Sequence, residues 1–121
     1  MKFIYILVLL GLTTNVHSSS NFMTVEKFLK EKSLNNKSFI LQIDAYLMGI
    51  NSGFSTTNAK LESENKKAIF CLPESFTLSK KNLYKFIDAE IEFNNYEGYN
   101  ISNHSISNIL MDHLIKIFPC Y

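Results

Sequence analysis

Leu83-Tyr84-Lys85-Phe86-Ile87-Asp88-Ala89-Glu90-Ile91 is the stretch whose reading decides the fold class. Its large apolar residues, Leu83, Phe86, Ile87 and Ile91, fall three and four apart. That spacing gathers them on one face of a helix and would scatter them over both faces of a strand. Ser79 lies just upstream as a cap, and Asn94-Asn95 followed by Gly98 marks the end. The same period recurs on either side. Upstream, Phe39, Ile43, Tyr46, Leu47 and Ile50 share one face of a helix read from about Ser38 to Asn51, with Gly53 as its C-terminal stop. Before that, Val25, Phe28 and Leu29 stripe a short helix from its N-cap Thr24 to Ser33, and Asn35-Asn36 breaks the chain between the two. Downstream, Ile106, Ile109, Leu110, His113, Leu114 and Ile117 line a helix from about Asn103 to Phe118, which Pro119 ends. Strand-type alternation with tight turns does not recur. The expectation is an all-α chain, a small four-helix bundle-like domain with one disulfide, occupying residues 19–121.

The connections carry less pattern. Residues 53–67 are polar without a clear period, so they read as a long loop or as a short helix around Ala59 to Asn65. Gly49 lies inside the second helix at a cost in propensity, and close approach of a neighbouring helix would explain it. Ala68 to Leu72 is apolar and is expected to bring Cys71 inward, while Pro73 keeps a helix from running through.

At the N-terminus, Met1-Lys2 precedes an apolar run from Phe3 to Leu12, too short to span a bilayer comfortably. Val16 and Ser18 then supply the small residues of a signal-peptidase site. Residues 1–18 therefore read as a cleavable signal peptide, and no later segment is apolar enough to anchor the chain in a membrane. The two cysteines, Cys71 and Cys120, then read as one disulfide of an exported protein. A loop of about 50 residues closed in this way is stabilised by about 4 kcal/mol in the chain-entropy model. Loss of Lys2 with the leader leaves lysines and acids in balance. There is no arginine, and no basic surplus to hold nucleic acid.

The residues suited to chemistry do not assemble into a catalytic pattern. A thiol hydrolase needs a cysteine activated by an imidazole or a helix N-terminus. Cys71 lies in an apolar strip and has a covalent partner available, and two scattered histidines, His104 and His113, make no zinc pattern. No phosphate-binding glycine loop, serine-hydrolase signature or metalloprotease pair is present, so no catalytic residue, metal or cofactor is expected. In the third helix, Lys80, Lys81 and Lys85 precede Asp88, Glu90 and Glu92, an order that opposes the helix dipole. The acidic end leads into Asn94, Asn95, Tyr96, Glu97, Gly98, Tyr99 and Asn100. Tyrosine offers large contact area at low entropic cost and asparagine adaptable hydrogen bonds, a composition suited to partner binding as well as to an ordinary solvated turn.

Tyr46-Leu47-Met48-Gly49, then Phe70-Cys71-Leu72-Pro73 with Thr77, then an apolar helix closing on Phe118-Pro119-Cys120, resembles the Tai-type immunity proteins of bacterial type VI secretion. The resemblance runs from about Thr24 to Cys120. It implies a small, exported, mostly helical protein that binds and blocks a peptidoglycan-cleaving amidase effector in the periplasm. It also implies a homodimer, with a loop between late helices entering the effector's catalytic cleft. Carried onto this chain, that loop is Asn94 to Asn100, and the partner-binding residues are Asn94, Asn95, Tyr96, Glu97, Tyr99 and Asn100. The chain departs from many relatives in lacking a second cysteine pair near Lys32 and Ile43, and in placing Ser79-Lys80-Lys81 after Thr77 where a glutamine is common.

Three functions are thus carried forward: a periplasmic amidase inhibitor, a small periplasmic acid-stress chaperone, and a secreted helical ligand or effector. The last would draw support from glycans at Asn100 or Asn103, whose acceptor triplets are expected by chance in so Asn- and Ser-rich a chain.

Overall fold

The computed structural model describes residues 23–121, so the leader expected at residues 1–18 lies outside the described residues. Four helices follow in order: α1 (Val25–Ser33), α2 (Lys37–Ser63), α3 (Lys80–Tyr96) and α4 (Ile106–Ile117). Among the described residues there is no strand, and Cys71 is bonded to Cys120. The chain is a small all-α domain closed by one disulfide.

Each helix begins on a side-chain cap, which satisfies backbone N–H groups that have no partner within the helix. Thr24 Oγ1 accepts from Lys27 N, Asn36 Oδ1 from Ser38 N, Ser79 Oγ from Asn82 N and Ser105 Oγ from Asn108 N. Thr24 and Ser105 also form an isolated antiparallel bridge. Val25 N donates to His104 O at 2.9 Å, Glu26 N to Ser102 O at 3.0 Å, and Ile106 N to Met23 O at 2.8 Å. The start of α1 is thereby stitched to the start of α4. This also corrects the expected start of α4 at Asn103: residues 101–104 form a turn whose carbonyls serve α1, and the helix begins at Ile106.

The core is built from the faces that the period marks. Phe28, Ile43, Leu47, Leu83, Ile87, Ile106, Leu110 and Leu114 are fully buried. Two stripe members fall outside it, since Leu29 is 43 % exposed and Ile117 39 %. Both sit at the rim of their helix's contact face, where the partner helix no longer covers them.

Three expectations are corrected. α2 does not stop at Gly53; it runs to Ser63, 27 residues in all. Phe54, Asn58 and Leu61 extend its inner stripe, and Asn58 conceals the period because it is polar. Its amide clamps the following backbone, accepting from Ile69 N at 2.9 Å and donating to Phe70 O at 2.9 Å. The helix ends instead at Asn65, whose φ of +55° takes the left-handed conformation, with Asn65 N on Glu62 O and Lys66 N on Leu61 O. Second, Gly49 faces no neighbouring helix: a Cβ built there meets nothing within 4 Å. Third, Cys71 is exposed. Phe70 turns inward at 3 % exposure, and Cys71 follows it outward.

The disulfide holds the segment after α2 onto the end of α4, and Cys71 N donates to Phe118 O at 2.8 Å beside it. Beneath it Phe76, Phe86 and Phe118 form an aromatic cluster with centroids 5.0–6.3 Å apart, and His113 packs on Phe86 at 5.1 Å.

Candidate functional site

The segment from Asn94 to Asn100 is half helix and half turn. Asn94, Asn95 and Tyr96 form the last turn of α3, and Glu97 is its C-cap. Gly98 follows at φ +77°. Its N–H donates to Asn95 O at 3.2 Å, and Tyr99 N donates to Asn94 O at 2.9 Å. Both bonds are those of a Schellman ending, which needs a left-handed residue where glycine stands. Asn100 Oδ1 then accepts from Ser102 N at 3.1 Å and Ser102 Oγ at 2.8 Å. Ile101, 5 % exposed, plugs the turn into the core. The loop is thus held at both ends by hydrogen bonds and by an apolar anchor.

The six expected partner-binding residues are contiguous but do not all face solvent. Tyr96 is 87 % exposed and Tyr99 63 %, and Asn95, Glu97 and Asn100 are exposed. Asn94 is half-buried: its amide donates to Glu90 O at 2.8 Å and to Glu90 Oε1 at 3.3 Å, so its role is internal. Asn100 spends its side-chain oxygen within the turn.

Two neighbours enlarge the surface. Phe93, 49 % exposed, lies under Lys116 with the ammonium 4.5 Å from the ring centre. Beside Tyr99, a groove of about 500 Å³ runs between α1 and the loop, floored by Val25, Ile91 and Ile101 and rimmed by Glu26 and Leu29. The rim is visible in the sequence only as the misplaced apolar residue Leu29. The floor comes from three separated segments, and no local pattern joins them.

Beneath the loop lies a buried ionic cluster that the charge order of α3 only hints at. Glu90 is 6 % exposed. Its Oε2 lies 2.9 Å from His113 Nδ1, and Lys116 Nζ donates to its Oε1 at 3.1 Å. Burial opposes ionisation of Glu90, but the bonds from His113 and Lys116 outweigh it and hold the carboxyl below its ordinary value. The unfavourable order of charges along α3 is also answered across the bundle. Asp88 pairs with Lys32 at 2.8 Å, and Lys80 pairs with Asp44 at 2.7 Å. Asp44 is held below the usual carboxylate range by the Lys80 bond, against a smaller burial effect, with help from the Tyr84 hydroxyl. Burial and the Asp44 carboxylate push the Tyr84 hydroxyl well up.

The Cys71 sulfur is committed to the disulfide, and among the described residues no three His, Cys, Asp or Glu side chains are grouped to hold a metal ion. Among the described residues no helix is long and apolar enough to cross a membrane. No family model matches the chain, and no curated protein or solved structure is detectably similar to it.

Proposed function

We propose that this chain is a periplasmic immunity protein that binds a type VI secreted peptidoglycan amidase and blocks its active-site cleft, acting as a homodimer. The observation that carries the reading is the braced loop between α3 and α4, which presents Tyr96 and Tyr99 on a fixed backbone. Rigid aromatic side chains lose little entropy on binding, and a pre-formed backbone lowers the cost of association further. The paired strings Phe70-Cys71-Leu72-Pro73 and Phe118-Pro119-Cys120 supply the resemblance, and the bond between their cysteines suits an oxidising compartment. Inhibition on this reading is steric: the loop fills the substrate groove, and no group on it needs to react.

The test is whether the adjacent open reading frame encodes a cysteine–histidine amidase, and whether this chain captures that enzyme and inhibits its hydrolysis of peptidoglycan. Tyr96→Ala with Tyr99→Ala should lower affinity by about 100-fold, the loss of two aromatic anchors at the centre of an interface. Unchanged affinity in the double variant would remove the loop from the interface.

The acid-stress chaperone remains a second reading because Glu90, His113 and Lys116 couple α3 to α4 through a titratable cluster. Compact tertiary structure and no suppression of client aggregation at about pH 3, below the ordinary carboxylate range, would eliminate it.

A further inference from the structure

We infer that the groove between α1 and the α3–α4 turn is a socket for one long cationic side chain, a lysine or an arginine, projecting from the surface of a protein partner. This deepens the inhibitor reading and rests on it for the identity of the partner. In that reading the loop enters the partner; here the partner enters the chain beside the loop.

The floor of the groove is apolar and fixed. Val25, Ile91 and Ile101 are between 3 and 7 % exposed and come from α1, α3 and the turn. Val25 N and Glu26 N donate to the carbonyls of His104 and Ser102, which ties α1 to the turn along one side. At about 500 Å³ the groove falls within the range of clefts that take small ligands, about 300–1,000 Å³. Lysine and arginine lay their methylene stems on such a surface and keep the charge at its edge.

The edge is negative. Glu26 is the one charged residue lining the groove, and no lysine lines it among the described residues. Its carboxylate is exposed and has no ionic partner among the described residues. Tyr99, 63 % exposed, adds an aromatic ring of the kind that attracts a cation, and Asn95 adds a side-chain carbonyl.

The surrounding field has the same sign. Between Lys85 and Lys116 the chain has no lysine, yet it holds Asp88, Glu90, Glu92 and Glu97 before the turn. Lys32 answers Asp88, and His113 and Lys116 answer Glu90; Glu92 and Glu97 have no ionic partner among the described residues. The last turn of α3 holds no basic residue, so the negative end of its dipole is uncompensated, and it lies at the groove because Asn95 and Gly98 line it. Glu26 also favours the dipole of α1 from its first turn. That accounts for an acid at this place, but not for the lack of lysine around the groove and at the end of α3. The same signs repel a phosphate, a carboxylate or a nucleic acid. A neutral apolar side chain would use the floor and ignore Glu26, which is the difference the test reads.

The probe is an acetylated, amidated leucine–arginine–leucine peptide, titrated into the nitrogen-15-labelled chain and followed by NMR. It should shift the amides of Glu26, Tyr99 and Ile101 and half-saturate at a few millimolar, on the order expected for a single anchoring side chain. The same peptide with citrulline for arginine, which keeps the stem and loses the charge, should bind at least about fivefold more weakly. Glu26→Gln should weaken the arginine peptide at least about threefold and leave the citrulline peptide unchanged, and Glu26→Lys should abolish binding of the arginine peptide alone. Circular dichroism should show both variants folded like the parent. No shifts up to about 20 mM, equal binding of the two peptides, or indifference to both Glu26 variants would each overturn the proposal. In capture of the amidase, Glu26→Lys should lower affinity at least about tenfold, and unchanged capture would overturn the proposal as well. Binding of the arginine peptide at Glu26 with no amidase captured would support the socket and tell against the inhibitor reading.

Discussion

Replacing Glu90 by glutamine should destabilise the protein at neutral pH and have little effect in acid. The carboxylate is 6 % exposed and accepts from His113, Lys116 and Asn94. The His113 side chain is 13 % exposed, so its bond to the buried charge is desolvated, and such a bond is worth about 1.5–3 kcal/mol. Lys116 is 53 % exposed and screened by water, and contributes under about 1 kcal/mol. Glutamine keeps the shape but offers one acceptor oxygen and a donor amide, which faces other donors. The expected cost is about 2 kcal/mol at pH 7. The folded protein holds Glu90 below its ordinary value of 4.5, so this stabilisation is complete above that value. It is lost as the pH falls through the lowered folded value, because a carboxyl protonated in both folded and unfolded chains favours neither. Urea denaturation of parent and Glu90→Gln at intervals from pH 7 to about pH 3 tests this directly. The gap between the two should close on acidification. A gap that stays constant with pH, or no gap at pH 7, would refute the assignment of the cluster as a pH-dependent tie between α3 and α4.

Two further outcomes are expected. Cys71→Ser and Cys120→Ser should each cost about 4 kcal/mol, and the double variant no more than either alone, since all three remove the same bond; urea denaturation of the oxidised parent and the three variants without reductant checks this, and additive losses would contradict it. Gly98→Ala should cost about 1–2 kcal/mol by forcing a side chain into the left-handed conformation, whereas Gly98→Asn should cost less, and thermal melts of the two variants will rank them.

The helices were legible because burial in this chain follows a single period wherever two helices meet. Leu83, Ile87 and Ile91 are buried as their spacing requires, and Thr24 and Ser79 cap as short polar residues do. What escaped was set by partners distant in sequence. The second half of α2 looks patternless because Asn58 occupies an inner position to hold the backbone of Ile69 and Phe70. Glycine is ordinarily read as a stop, and Gly53 is not one because nothing in the following residues offers a better end before Asn65. In the candidate site, Tyr96, Glu97 and Tyr99 were legible as an exposed polar-aromatic run. The inward turn of Asn94 was not, since it depends on Glu90 lying one helical turn behind and being buried by α4.

The stitch between Thr24 and Ser105 bears on how the chain reaches this structure. The first backbone amides of α1 find their acceptors in a turn about 80 residues later, and the amide of Ile106 finds its acceptor in Met23. Contacts so distant along the chain are slow to form, because a long loop must close before any of them is made. Until the 101–106 turn is in place, α1 lacks its full N-terminal hydrogen bonds. It is nine residues long, too short to persist as a helix alone. Forming the 101–106 turn is therefore the step that completes α1, and it ties the first of the described helices to the last.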